Sequence, residues 1–348
     1  MRMSDIIKIG NKNTPNSSKK KFSYEPSWKA KEGNGIRMQK LHSSNAAYTD
    51  EHKTVEELYQ RYVAEMRRIF NRAIISFDIL PPKSHIQALA MEVSGSLQVS
   101  RVNVMDFFMR SETLDDNYLS SHTANVTFLS VMIGIWLNYN KSQLSQLAQA
   151  CIFHDIGMIN VLDIAQLPRK LTTAEREEIK KHPEYSKDFL EQIQGIDAVI
   201  IDAVYKHHGS QDASAAAVNE YSQIIGLADT FEAMTHFRAY KQAQEPHLAM
   251  RIIIEELKGK YHSKIIKALI DNIGIYPAGT FVRLDTEEIG LVIDVNPGSP
   301  LSPKVNIIFD KNIERLPEAR TVDLSKQTNI HITNPLREEA RQSLKERL

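Results

Sequence analysis

The sequence predicts a mainly α-helical protein that ends in a small antiparallel β module. Two observations carry that prediction. From Thr54 to about Asp271 apolar residues recur at helical spacing, with polar residues between them. After Asp271 the pattern changes to short β-branched runs separated by turns that contain Gly and Pro. At 348 residues the chain can bury a substantial core, which fits about one to three domains.

Residues 1–50 are rich in Lys, Asn, Ser and Gly, carry the basic cluster Lys19-Lys20-Lys21 and show no sustained periodicity. They read as a disordered, solvated tail. Residues 51–110 form an N-terminal helical region. Val55, Leu58, Tyr62, Met66 and Ile69 make one stripe of a helix that Pro81-Pro82 ends, and a second helix is expected from about Ser84 to Phe108. Such a stripe packs on its own domain or on a second copy, so this region is expected to be regulatory or to form a homodimer. Residues 111–272 are the main helical domain. Within it Thr172 and Glu175 spell a capping box opening a helix through Lys181, and Pro183 marks a break after His182. Residues 273–334 are the β module, with strands expected at Thr280 to Leu284, Leu291 to Val295 and Val305 to Phe309. Residues 335–348 read as an exposed charged helix.

Lys+Arg 43 balance Asp+Glu 43, so no overall basic field favours a polymeric nucleic acid. The single cysteine, Cys151, excludes an internal disulfide framework and fits a reducing compartment. No signal-peptide pattern is seen, and the longest apolar run, Phe128 to Leu137, is too short to span a bilayer. The expectation is a cytoplasmic protein without a membrane partner.

The chemistry centres on Cys151-Ile152-Phe153-His154-Asp155-Ile156-Gly157. A histidine followed by an aspartate at the end of an apolar run is costly to bury unless something pairs with it. Leu144, Leu147, Cys151 and His154 have helical spacing, which puts the imidazole on the buried face of the last turn, with Gly157 as the expected C-cap. Ile200, Val204 and His207 share a helix face, as do Ile225, Asp229 and Glu232. His122, His182 and His208 complete the set. Each residue has an ordinary explanation on its own: a hydrogen-bonded core histidine, a helix cap, a buried acid bonded to backbone. Taken together, imidazoles and carboxylates on the inward faces of successive helices ask for a cation.

The order of these residues resembles the HD superfamily of metal-dependent phosphohydrolases, and more narrowly its HD-GYP branch, which hydrolyses cyclic di-GMP. The matching residues are Asp116-Asn117-Tyr118 and His122, His154-Asp155-Ile156-Gly157, Leu171-Thr172 with Glu175, His182-Pro183, His207-His208, Ala228-Asp229 and Arg238-Ala239-Tyr240-Lys241. The resemblance implies an HD-domain helical bundle over about residues 115 to 272, followed by the branch's β extension. It implies one metal held by His122, His154, Asp155 and Asp229, and another by Asp155, His182, His207 and His208, with Asp155 bridging. Imidazole-rich ligation favours Fe or Mn, with Zn also suitable, over Mg. The implied reaction is phosphodiester hydrolysis by a hydroxide activated between two cations, with Arg238 and Lys241 at the family's phosphate-contacting positions. Tyr118 occupies the position where family members with a third metal carry glutamate.

Two departures bear on substrate. The family's lysine after His-Asp-x-Gly is Met158 here, and a thioether supplies no charge. The segment after His207-His208 reads Gly209-Ser210-Gln211-Asp212-Ala213-Ser214-Ala215-Ala216-Ala217 and lacks the Gly-Tyr-Pro element. Three readings therefore stay open: a cyclic di-GMP phosphodiesterase, a phosphohydrolase of another nucleotide, and an inactive signalling or interaction protein that retains the metals.

Overall fold

The structure is a computed structural model, and it describes residues 50–75, 83–99, 118–167, 169–209, 219–236, 244–327, 329–336, 340 and 344. The tail 1–49, Asp116-Asn117, the segment 210–218 and the Arg238 to Lys241 motif lie outside the described residues.

Helix α1 (Asp50–Ile75) buries Leu58, Tyr62, Met66 and Ile69 of the predicted stripe, and widens it with Tyr59, Val63, Phe70 and Ala73; the Val55 side chain lies outside the described residues. Pro81-Pro82, expected to end this helix, and residues 100–108 of the second expected helix lie outside the described residues. Helix α2 (Lys83–Val99) follows. Helix α3 (Tyr118–Trp136) has no exposed face between Leu119 and Ile135, where every residue is buried, as expected of a helix surrounded by others. It is touched by α1, α2, α4 (Lys141–Phe153), α9 (Glu220–Thr235) and α11 (Ser263–Ile273). One hydrophobic cluster runs from Leu58 to Ile273 through all of these. The N-terminal stripe thus packs on α3 within the same chain.

Helix α4 opens on a capping box in which Asn140 and Gln143 satisfy each other's backbone N–H groups. It ends at Phe153, with His154 as the C-cap. Gly157 is therefore not the cap; it sits one turn later in a 3-10 turn, Ile156–Val161. A Cβ on Gly157 would lie 2.3 Å from the His182 carbonyl oxygen and 2.5 Å from the Ser186 nitrogen. Only glycine lets this turn lie against the helix that carries His182. A short helix α5 (Leu162–Ala165) follows. Helix α6 (Thr173–Ile179) begins on the predicted Thr172–Glu175 capping box. The break then falls before His182, which opens helix α7 (His182–Glu191) with Pro183 in its first turn, where a missing N–H costs nothing. Helices α8 (Ala198–Tyr205) and α10 (Pro246–Glu255) complete the bundle. The stretch Lys141–Ala165 has the length and hydropathy of a membrane span, but 67% of its most apolar window is buried, and its helix is interrupted at His154.

The β module is a five-stranded antiparallel sheet in the order β4-β3-β2-β1-β5, from β1 (Phe281–Leu284), β2 (Ile289–Asp294), β3 (Lys304–Phe309), β4 (Arg315–Asp323) and β5 (Ile332–Pro335). Alternation sends Phe281, Leu291 and Phe309 to one apolar face and Val282, Val292 and Val305 to the other. Pro335 is in a strand and pairs with Val282, whereas Ala340 and Leu344 are helical as expected; Ala340 is exposed, but Leu344 and Leu336 are buried with Phe281.

Candidate metal centre

Three imidazoles are aimed by the same local device. His154, His182 and His207 each follow a helical turn, and each Nδ1 meets the carbonyl oxygen three residues back: Cys151 at 2.8 Å, Ile179 at 2.7 Å and Val204 at 2.6 Å. A carbonyl only accepts, so Nδ1 carries the proton and Nε2 presents its lone pair to the interior. His122 lies in the first turns of α3 and is aimed by a carboxylate: its Nδ1–H donates to Glu232 Oε2 at 2.7 Å. All four rings are buried, while His208 remains partly exposed.

The Nε2 atoms converge. His122 and His154 bring theirs to 3.3 Å, His182 and His207 to 3.4 Å, and His208 Nε2 lies 3.2 Å from His182 Nε2. Lone pairs gathered this closely repel unless a proton or cation lies between them. Asp155, mostly buried, divides its carboxylate between the two groups. Its Oδ2 is 3.3 Å from His122 Nε2 and 3.7 Å from His154 Nε2, whereas Oδ1 is 3.1 Å from His182 Nε2 and 3.6 Å from His207 Nε2. Asp229 Oδ1 is 3.4 Å from His122 Nε2, yet it is buried without a hydrogen-bond partner, and a buried carboxylate oxygen in that state is suited to a cation. Two donor sets result, Asp155 with His182, His207 and His208, and His122 with His154 and Asp229, each set with its ligand atoms within 4.8 Å of one another. All seven residues predicted as metal ligands thus lie together. Arg238 and Lys241 fall outside the described residues.

The ionisation of the metal-free cluster reflects the same crowding. Burial disfavours a charged His122, but Glu232 and Asp155 outweigh it and lift the pKa to about 10. Burial outweighs the neighbouring Asp155 and, with His207 and His122 adding to it, pushes His154 down to about 4. Burial opposes an ionised Asp155, yet the surrounding imidazoles hold its carboxyl well below the usual range. Burial and the neighbouring His207 and His182 hold His208 well below the ordinary imidazole value.

Sequence reasoning placed Glu232 on the face of Asp229 without giving it a task. It missed Ser186, whose Oγ accepts from the Gly157 N–H at 2.9 Å and donates to the His154 carbonyl at 3.1 Å. Its spacing of four residues from His182 is the one signal that it shares the inward face. Met158 packs against the apolar cluster.

Residues 109–265 match a family model described as an HD domain, and residues 281–344 match one described as a KOW domain associated with HD domain. The chain is 26% identical over 251 residues to a cyclic di-GMP phosphodiesterase of Pseudomonas aeruginosa, covering 70% of this chain and 60% of that protein. It is 24% identical over 231 residues to a cyclic di-GMP phosphodiesterase of Borreliella burgdorferi, covering 64% and 59%. A 3'3'-cGAMP-specific phosphodiesterase of Vibrio cholerae is 26% identical over 195 residues, covering 53% and 43%. The chain thus spans about 60% of the length of the first two relatives. In fold it resembles an HDG"Y"P protein from Bdellovibrio bacteriovorus, with a TM-score of 0.52 at 14% identity, covering 68% of this chain and 76% of that one.

Proposed function

The chain is an HD-domain protein of the HD-GYP-like phosphohydrolase kind, and from that premise we propose that it is a two-metal phosphodiesterase that hydrolyses cyclic di-GMP. The observation that carries the reading is the divided carboxylate of Asp155, with one oxygen toward His122 and His154 and the other toward His182 and His207. His122, His154 and Asp229 would hold one divalent ion with Asp155, and His182, His207 and His208 the other. Imidazole-rich donors fit Fe or Mn, and also Zn. The ions, when bound, supply Lewis-acid polarisation of phosphoryl oxygens and activation of water.

The chain's own residues define the rest. The three backbone carbonyls and Glu232 fix which imidazole nitrogen is a ligand. Ser186 ties the backbone on both sides of Asp155 to α7, which holds the carboxylate that would serve both ions in register. His208, the partly exposed member, marks the side from which substrate enters.

The test is hydrolysis of cyclic di-GMP by protein reconstituted anaerobically with Fe(II) or Mn(II), beside an Asp155→Ala control. We expect metal-dependent product, with the control down by at least about 100-fold, because a ligand shared by both ions matters more than an outer partner. The Vibrio cholerae relative favours one competing substrate, 3'3'-cGAMP, which belongs in the same assay. Turnover of neither by protein holding two ions would leave a metal-retaining signalling protein.

A further inference from the structure

A buried chain of polar side chains runs from the N-terminal helix to His122. The Tyr59 hydroxyl on α1 donates to Asn125 Oδ1 at 2.6 Å. Asn125 Nδ2 donates to Glu232 Oε1 at 3.3 Å, and Glu232 Oε2 accepts the His122 Nδ1–H at 2.7 Å. Asn125, Glu232 and His122 have no solvent exposure, and Tyr59 has 5%. The polarity is fixed throughout: a carboxylate only accepts, so the amide must turn its NH2 to Glu232 and its oxygen to Tyr59. Packing fixes the far end, since the Tyr59 ring meets Phe128 of α3 edge-on at 5.6 Å and 74°.

The arrangement is one-sided. His154, His182 and His207 take their orientation from a carbonyl in their own turn and need nothing from a distance. Within a helix the backbone carbonyls are already engaged, so His122 takes its orientation from Glu232, whose Oε1 receives the bond from Asn125 and also lies 3.9 Å from His236 Nδ1 one turn along its own helix. Helix α1 also touches the Ile156–Val161 turn that follows Asp155. Among the described residues, the hydrogen-bonded chain from the N-terminal helix therefore ends at the first donor set, and no such chain leads from that helix to an imidazole of His182, His207 or His208.

We infer that Tyr59 is a positioning residue: through Asn125 and Glu232 it sets His122, so that the seating of α1 on α3 tunes the affinity of the His122–His154–Asp229 site alone. This rests on the reading of the cluster as a two-ion centre.

The experiment titrates Mn(II) into the metal-stripped full chain against a chromophoric chelator, for wild type, Tyr59→Phe, Glu232→Gln and the double variant, with His154→Ala to identify the first site. Wild type is expected to bind two ions. Tyr59→Phe should weaken the first site by about 3- to 10-fold, the effect of one buried hydrogen bond, and Glu232→Gln by about 10- to 100-fold. The second site should keep its affinity, and the double variant should be no weaker than Glu232→Gln, because Tyr59 acts through Glu232. Unchanged affinities in Tyr59→Phe, equal weakening of both sites, or additive effects would overturn the inference. Wild type that binds fewer than two ions would remove the two-metal reading and the inference with it. Selective weakening without hydrolysis of any cyclic dinucleotide would remove the proposed activity and leave the inference standing.

Discussion

The divided Asp155 carboxylate and the protonated His122 make the metal-free centre an arrangement in which protons hold places that cations would take. His122 has a folded pKa raised to about 10, above its unfolded value of about 6.5, so at pH 7 it carries a proton on each nitrogen. One is shared with Glu232; the other, on Nε2, points at Asp155 and at the ligand position. Proton and cation compete for Nε2. Affinity at the first site should therefore rise with pH, by about tenfold per unit between pH 7 and 9, and level off as pH passes about 10. In the metal-free protein the same shift has the opposite sense: its stabilisation is fully present below about 6.5 and is lost as pH rises through about 10. Chelator competition at several pH values checks the first statement; a flat affinity between pH 7 and 9 would show that His122 is neutral before metal binds.

At the scale of elements, the helix faces were legible because each ligand sits at a spacing that only a helix makes coherent. His207 follows Ile200 and Val204, and Asp229 follows Ile225. The ends of the elements were harder. Gly157 looked like a C-cap, but its requirement comes from the backbone of α7, which no local pattern announces. The three strands that were anticipated, β1, β2 and β3, are the inner strands of the sheet, whereas β4 and β5, which were not, form its edges. An edge strand is half solvated: in β4 only Val322 is fully buried, so the alternation that reveals a strand is absent. The glycines give a paired test of these packing claims. Gly157→Ala forces backbone to move and should cost about 1–3 kcal/mol and loosen both metal sites. Gly95→Ala in α2, where an added Cβ meets nothing within 4 Å, should stabilise by about 0.5–1 kcal/mol. Thermal unfolding of the two variants distinguishes them, and equal effects would mean that the Gly157 contact is not a constraint.

The molecule as a whole divides its apolar interior unevenly, and that division should be visible in how it melts. The cluster from Leu58 to Ile273 contains the metal centre, while the sheet has two clusters of its own, one on each face. Ions that bind only the folded helical part stabilise only that part. At a free metal concentration of about 100 times Kd, each occupied site adds about 2.7 kcal/mol, which for a unit of this size is roughly 5–10 °C. Calorimetry of the full chain should then show two transitions in chelator. Adding Mn(II) should move the helical transition upward and leave the β transition in place, and Asp155→Ala should abolish the movement. A single transition that shifts as one would show instead that the packing of Ile275 against the helical cluster, together with the bond from its N–H to the Pro300 carbonyl, couples sheet and bundle into one cooperative unit. In that case metal occupancy would stabilise the β module as strongly as the helices that hold the ions.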